Sequence, residues 1–260
     1  MLYVESVAVC LTHDVDSITR PLLHVLRRGG RFAPLDLLKH LAGLDNLYDN
    51  IRLIMDFEDD LDIRSTWFFP PFLLPLERVE DYVKDLVKGG WEVGLHAVAG
   101  GAQSSGLLRM QVEYMRDFLD LPLRGVRFHG LIYSRELLSQ LASMGFIYDS
   151  SARVEEVGYR PFRVAPGMVE LPLYVMDADL FGRLKLSEDR AWRYILWKLG
   201  RVEEVGVEVV VVLFHQESFR MKGGRLYSRL AEWVLEKGWS ALTCVEAVRR
   251  LGEMGCGCHD

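Results

Sequence analysis

Residues 207–214 read VEVVVVLF, a run in which Glu208 is the only charged residue. A strand with one face in water alternates apolar and polar residues, whereas this run is apolar on both faces. Such strands are typical of parallel sheets that helices cover on both sides. Similar apolar, β-branched runs alternate with segments of helical periodicity along almost the whole chain. This order of elements predicts an α/β fold with a parallel sheet.

The periodicity places strands and helices along the chain. Strands are predicted at residues 6–12, 65–69, 91–95, 125–128, 146–148, 168–175, 207–214 and 240–243. Helices are predicted at residues 34–42, 47–61, 77–88, 107–119, 134–144, 187–205, 225–237 and 244–251. The last helix is expected to begin with a capping box formed by Thr243 and Glu246. Residues 150–167 contain several Gly and Pro residues and are predicted to form a long loop or a β excursion over one end of the sheet.

A chain of 260 residues, half of them hydrophobic, is long enough to bury one large core. We therefore expect residues 1–260 to form a single domain, with residues 252–260 as a flexible tail. The formal net charge is −6, and the arginines are scattered among acidic residues. The sequence thus shows no extended basic face for nucleic acid or for an anionic membrane.

The first residues lack the basic start, long apolar core and cleavage site of a secretory signal, and no later run is long enough to span a membrane. We therefore expect a soluble, cytoplasmic protein. Cys10, Cys244, Cys256 and Cys258 are too few and too unevenly spaced for a disulfide scaffold, so reduced thiols are expected. Arg (24) outnumbers Lys (7), and Asn plus Gln number only 6, which leans towards a heat-adapted source.

Residue types that commonly serve in catalysis follow several of the predicted strands. They are Asp14 and Asp16 after the first strand, His96 after the third, Arg127 and His129 at the end of the fourth, and His215 after VEVVVVLF. Because loops at the carboxyl ends of parallel strands converge, these residues are expected to meet in one pocket.

Each of these residues also has a structural interpretation. An Asp after a strand often caps the next helix, as Asp16 could, and a lone buried histidine is more often a hydrogen-bonded core residue than a ligand. It is their joint placement that favours a site. The tail CGCHD could hold a soft metal through Cys256, Cys258 and His259, although structural zinc needs four ordered ligands.

Four segments in this order, THDVD, EVGLH, RFHG and VVLFH, resemble the motifs of the polysaccharide deacetylases, the NodB-homology carbohydrate esterases. The resemblance runs from about Ser6 to Cys244 and is strongest to a divergent, deacetylase-like branch. It implies a distorted (β/α) barrel of about seven parallel strands. It also implies an enzyme that uses a divalent metal to remove N-acetyl groups from amino sugars.

The family's first motif usually reads T-F-D-D-G, with a general base followed by a metal ligand. The resemblance therefore makes Asp14 the base and Asp16 a ligand, while His13 and Val15 depart from the pattern. Arg127 matches the arginine that orients the base. His215 matches the histidine that serves as general acid.

The second motif departs from the family pattern, because it supplies His96 but has Gly100 where a second histidine is usual. A catalytic zinc normally has three protein ligands and one open position. His129, which stands where the third motif has its proline, is the nearest candidate for the third ligand. The expected metal is zinc, with cobalt or nickel as alternatives.

Other functions are also compatible with the sequence. Without the metal, the barrel could bind carbohydrate or hydrolyse a different amide. The D-x-D of Asp14 and Asp16 also resembles that of haloacid-dehalogenase phosphatases. That class needs Thr or Val where Ile18 stands, and it leaves the histidines without roles. The substrate is not identified. Several aromatic residues could stack on sugars or belong to the core: Trp67, Phe68, Phe69, Tyr133 and Phe219.

Overall fold

The fold is organised around one curled sheet, as seen in a computed structural model that describes residues 6–99, 104–120, 122–132 and 134–253. The strands are β1 (Ala8–Asp14), β2 (Thr66–Phe69), β3 (Glu92–Ala97), β4 (Gly125–Phe128), β5 (Tyr148–Asp149), β6 (Phe162–Ala165), β7 (Met168–Glu170), β8 (Leu173–Met176), β9 (Val209–Leu213) and β10 (Ser240–Ala241). Their spatial order is β6-β7-β5-β4-β3-β2-β1-β9-β8, and β10 also pairs with β1. In the described ranges every pairing of these strands is parallel except that of β6 with β7.

The sheet curls because one chain segment joins its two ends. β7 pairs with β5, and β8, which follows β7 after two residues, pairs with β9. Beyond β5, Arg153 also forms a parallel backbone bridge with Leu173. The strands therefore form a distorted barrel, as the resemblance implied.

Helices surround this barrel. They are α1 (Leu22–Arg28), α2 (Pro34–Leu41), α3 (Ile51–Asp60), α4 (Glu80–Lys88), α5 (Ser104–Leu119), α6 (Arg135–Ser143), α7 (Val154–Val157), α8 (Glu188–Val205), α9 (Arg225–Glu236) and α10 (Cys244–Glu253). A π-helix covers Ala178–Arg183, and short 3₁₀ turns cover Gly29–Arg31, Leu76–Arg78 and Gln216–Ser218. In the part of the chain that the structure describes, no helix is both long and apolar enough to cross a membrane.

Strand alternation divides the core into two layers. Val209, Val211 and Leu213 of β9 face the barrel interior, where they pack with Cys10 and Phe68. The alternate β9 residues belong to the larger cluster between the sheet and the helices. Both faces of β9 are thus apolar because both are buried, as VEVVVVLF predicts.

The predicted elements are found with small shifts in their bounds. The strand predicted at 168–175 is divided into β7 and β8, and the predicted helix at 47–61 begins at Ile51. The capping box is confirmed, since the Thr243 N–H donates to Glu246 Oε2 at 2.8 Å and the Glu246 N–H approaches Thr243 Oγ1 at 3.4 Å. Three helices were not predicted: α1, α7 and the π-helix at Ala178–Arg183. The strand β6 lies within residues 150–167, where a long loop or a β excursion was predicted. The helix α10 extends to Glu253, and the tail residues Cys256, Cys258 and His259 lie outside the described ranges.

A buried polar network joins the underside of the site to the helices. Glu58 of α3 is fully buried, and its Oε2 accepts hydrogen bonds from Ser65 Oγ at 2.7 Å and Trp91 Nε1 at 2.6 Å. Its Oε1 accepts a hydrogen bond from the Tyr227 hydroxyl and lies 3.0 Å from His13 Nε2. His13, the departure in the first motif, is therefore a hydrogen-bonding core residue.

Replacing Glu58 with glutamine should destabilise the fold by about 2–4 kcal/mol. The new amide would present N–H groups to side chains that are themselves donors, so buried hydrogen bonds would be lost. Urea unfolding at neutral pH measures this change. Asp60→Asn is the control, because Asp60 is exposed on the same helix and its replacement should cost less than about 0.5 kcal/mol. Equal stability of the two variants would show that the network contributes little.

Candidate active site

The predicted site residues meet at the carboxyl end of the barrel. They lie at or just beyond the ends of β1, β3, β4 and β9: Asp14, Asp16, His96, Arg127, His129 and His215. On β1, Thr12 and Asp14 both contact Arg127, whereas His13 between them reaches Glu58 on the other side of the sheet. The period of two along a strand therefore places Asp14 and the hydrogen-bonded His13 on opposite sides of the sheet.

Arg127 holds Asp14 in a fixed position. Both side chains are almost completely buried, and Arg127 Nη1 donates to Asp14 Oδ1 at 3.0 Å. The same nitrogen donates to Thr12 Oγ1 at 2.8 Å, while Nε donates to the Ser150 carbonyl at 2.8 Å and Nη2 to Ser150 Oγ at 3.0 Å. The guanidinium also lies over the Phe68 ring, 4.5 Å from its centroid. Contacts on this many sides fix its orientation and, through it, that of the carboxylate.

Asp16, His96 and His129 bring three donor atoms together. Asp16 Oδ1 lies 3.3 Å from His96 Nε2 and 3.2 Å from His129 Nδ1, and the two nitrogens are 3.2 Å apart. Among the described residues, this is the one group of three or more His, Cys, Asp or Glu side chains with metal-ligand spacing.

The second nitrogen of His96 determines its tautomer. Nδ1 lies 3.0 Å from the Arg127 carbonyl oxygen, which can only accept, so Nδ1 carries the proton. The lone pair of Nε2 therefore faces Asp16 and His129. A backbone carbonyl that fixes a histidine in this way is typical of metal ligands.

The charges at this cluster are strongly coupled. Burial opposes ionisation of Asp16, but the close approach of the His129 and His96 imidazoles outweighs it and holds the pKa of Asp16 well below its usual range. The nearby Asp16 carboxylate raises the pKa of His129, against the effect of partial burial. The three side chains thus attract positive charge, whether a proton or a metal ion.

The donor spacing fits a divalent metal. A tetrahedral zinc with bonds of about 2.0–2.1 Å holds its ligand atoms about 3.3–3.4 Å apart, close to the spacing observed here. Asp16 Oδ1 is also buried without a well-formed hydrogen bond among the described residues. One carboxylate and two imidazoles suit zinc, cobalt or nickel. Gly100, where the family has its usual second histidine, lies outside the described residues.

His215 is paired with an acid that the sequence did not reveal. Its Nδ1 lies 2.6 Å from Asp177 Oδ1, and its backbone N–H donates to Asp177 Oδ2 at 3.2 Å. Burial lowers the pKa of His215, but the charge and hydrogen bond of Asp177 prevail and raise it to about 10. Asp177 directly follows β8, so its place after a strand was the available signal.

Of the two roles open to the aromatic residues, the structure favours the core for three of them. Trp67, Phe68 and Phe69 are fully buried in the sheet and pack in the core. Phe219 is half-buried against Phe57 and Tyr227, and Tyr133 lies outside the described residues.

Comparisons with known proteins support the fold. No family model matches the chain, and no curated protein matches it in sequence. Among solved structures, a candidate polysaccharide deacetylase from Mycobacterium smegmatis is similar over 98% of this chain and 93% of its own, with a TM-score of 0.72 and 18% identity. The PuuE allantoinase is similar over 96% and 92% of the two chains, with a TM-score of 0.71 and 15% identity.

A third similar structure is a CE4 family pseudoenzyme from Bacillus anthracis, with a TM-score of 0.56 and 12% identity over 94% of this chain and 66% of that one. The architecture of this chain is therefore that of the NodB-like polysaccharide deacetylases, a distorted α/β barrel. The same architecture is shared by an allantoinase and by a pseudoenzyme, so the function must be argued from the site.

Proposed function

We propose that this protein is a metal-dependent hydrolase of C–N amide bonds that removes the N-acetyl group from an amino sugar or glycan. The observation that carries the proposal is the convergence of Asp16, His96 and His129 within 3.3 Å of one another. This cluster lies beside Asp14, which Arg127 holds. Its Asp16 also lines a pocket with His215, which Asp177 holds.

The proposed metal is zinc, held by Asp16 Oδ1, His96 Nε2 and His129 Nδ1. A divalent ion bound there would polarise the amide carbonyl and make a water molecule more acidic. Three protein ligands also leave room for substrate or water.

The remaining side chains provide proton transfer. Asp14 takes a proton from the attacking water, and Arg127 keeps the carboxylate aimed at the site. His215 donates a proton to the departing amine nitrogen, and its pKa of about 10 keeps it protonated at neutral pH. Asp177 fixes the imidazole so that Nε2 carries the donated proton. Acetate and a free amine are the products.

Two alternatives remain distinct from this proposal. A metal-free carbohydrate-binding protein would not need the ordered Asp14–Arg127 and His215–Asp177 pairs. An amidase of altered specificity would need them, and the similarity to an allantoinase makes it the second candidate. The D-x-D phosphatase is not favoured, because the histidines and Arg127 surround the two aspartates at the end of a deacetylase-like barrel.

The test combines metal analysis with hydrolysis. Purified protein should bind about one equivalent of zinc or cobalt and release acetate from N-acetylglucosamine oligomers. Removal of the metal with a chelator should stop the reaction, and re-addition should restore it. Metal-loaded protein that hydrolyses allantoin but no N-acetyl sugar would favour the amidase. Protein that binds oligosaccharide but neither metal nor amide would favour the binding protein.

Replacing His129 with alanine should weaken zinc binding by at least about 100-fold, because a direct ligand should matter at least as much as the partners that orient ligands. Competition with a chromophoric chelator measures the affinity. His40→Ala is the control, since His40 lies outside the cluster and bonds the Asp45 carbonyl. Equal zinc affinity in the two variants would exclude His129 as a ligand.

A further inference from the structure

A basic wall faces the proposed catalytic groups across one pocket. The pocket has a volume of about 260 Å³ and contains Asp16 and His215 in its lining. Arg20, Arg28 and Arg31 line the same space. None of these arginines belongs to the motifs that resemble the deacetylase family, so they need a separate explanation.

The arginines come from the region of α1, where residues 20, 24, 28 and 31 recur at helical spacing. Arg20 donates a hydrogen bond to Glu217, which also lines the pocket. Among the described residues, no carboxylate lies within ion-pair distance of Arg28 or Arg31. Two guanidinium groups on the pocket wall are therefore without a counter-charge from the described part of the chain.

The lowered pKa of His24 is consistent with a positive potential in this pocket. It lies between these arginines in sequence and lines the same pocket. Burial lowers its pKa, and the charges of Arg20, Arg28 and Arg31 lower it further. The pocket wall thus disfavours one more positive charge and favours an anion.

Tyr48 provides an independent indication of a ligand. The side chain is fully buried and lines the pocket, yet its hydroxyl has no hydrogen-bond partner among the described residues. Its ring is fixed by edge contacts with His24, Phe32 and His40. Because buried hydroxyls are rarely left unpaired, this O–H is expected to donate to a bound molecule.

We propose that the substrate carries a phosphate group, which Arg28, Arg31 and the Tyr48 hydroxyl bind while its N-acetyl group reaches the catalytic residues. Guanidinium groups match the paired oxygens of phosphate. This inference rests on the proposed function, because the amide and the phosphate belong to one molecule. It narrows the substrate class to phosphorylated N-acetyl amino sugars.

The phosphate could belong to a soluble sugar phosphate or to a lipid that carries the N-acetyl amino sugar, for which a phosphatidic acid headgroup serves as the probe. The helix α1 also carries exposed apolar side chains, since Leu22, Leu23 and Leu26 are 58–62% exposed. The experiment therefore compares N-acetylglucosamine 1-phosphate with phosphatidylcholine vesicles that contain phosphatidic acid. Arg28-dependent binding to either one supports the phosphate site and identifies its source, whereas binding to neither overturns it.

The matched variants are Arg28→Gln and Arg27→Gln. Arg27 is exposed on the same helix and is not part of the pocket lining. Calorimetric titration with inorganic phosphate needs no turnover, and we expect Arg28→Gln to raise the Kd at least tenfold while Arg27→Gln leaves it unchanged. Equal phosphate affinity in the two variants would place the anion elsewhere, for example at the metal, and overturn the proposal.

Kinetics provide a second readout. For N-acetylglucosamine 1-phosphate, Arg28→Gln should raise KM at least tenfold with little change in kcat. For the neutral methyl glycoside of N-acetylglucosamine, KM should not change. A phosphate site that depends on Arg28 in a protein that hydrolyses neither sugar would refute the proposed function and leave only the phosphate site supported. Hydrolysis of both sugars with equal KM would support the proposed function and refute the phosphate site.

Discussion

Replacing Asp14 with asparagine should lower acetate release by about 10²- to 10⁴-fold, the usual contribution of a general base or acid. Asparagine has nearly the same shape, but its amide cannot take a proton from water. The fold should persist, because Arg127 keeps its bonds to Thr12 and Ser150. Steady-state assays of the metal-loaded variant measure the loss.

Asp16→Asn is the matched comparison, since it changes the other carboxylate of the same motif. Asp14→Asn should keep the zinc content of the natural sequence, whereas Asp16→Asn should lose both metal and activity. This difference would assign proton transfer to Asp14 and metal binding to Asp16, although the two residues are only two positions apart. Normal acetate release by Asp14→Asn would remove Asp14 from the mechanism.

Replacing Asp177 with asparagine should lower kcat by about 10²-fold and move the alkaline limb of the pH profile downwards. Burial lowers the pKa of His215 and Asp177 raises it to about 10. Without that carboxylate the pKa of His215 should fall towards its ordinary value, because burial then opposes only the weaker effects of Asp14 and Asp16. A general acid works only while protonated, so activity is lost as pH rises through its pKa. A bound metal ion would lower the pKa of His215, so the alkaline limb of the unmodified protein would lie somewhat below pH 10.

The measurement is kcat between about pH 5.5 and 9.5 for the variant and for Asp179→Asn. Asp179 lies two residues further on and bonds Arg153 and Arg183. We expect the Asp179→Asn profile to match that of the unmodified protein. A uniform loss in Asp177→Asn at every pH, with no shift of the limb, would show that Asp177 does not control the ionisation of His215.

The sequence predicts the parallel strands of the barrel better than it predicts the helix α1 and the edge strand β6. Buried parallel strands need apolar residues on both faces, so runs such as 207–214 are recognisable. The helix α1 was missed because its leucines are exposed and only Val25 is buried, leaving no core-facing stripe. The short edge strand β6 was predicted only as a long loop or a β excursion, without bounds, because local alternation in a segment rich in Gly and Pro is weak.

The candidate site shows a similar division. Its six expected residues were predicted because they follow strands or match a motif order. Asp177 and Glu58 were missed because their roles depend on partners 38 and 45 residues away, at His215 and His13. Glu58 did carry a signal, since it falls on the apolar face of α3 with Ile51 and Ile54.

The pairing of β1 has a consequence for how the protein folds. β1 carries Asp14, yet its neighbour β9 follows about two hundred residues later, as in the pairing of Val9 with Val210. During synthesis from the N-terminus, β1 therefore cannot pair with β9 until most of the chain has left the ribosome. Such non-local closure slows folding and leaves an unpaired edge that chaperones can shield. The candidate site is thus expected to be assembled late, after most of the surrounding helices have formed.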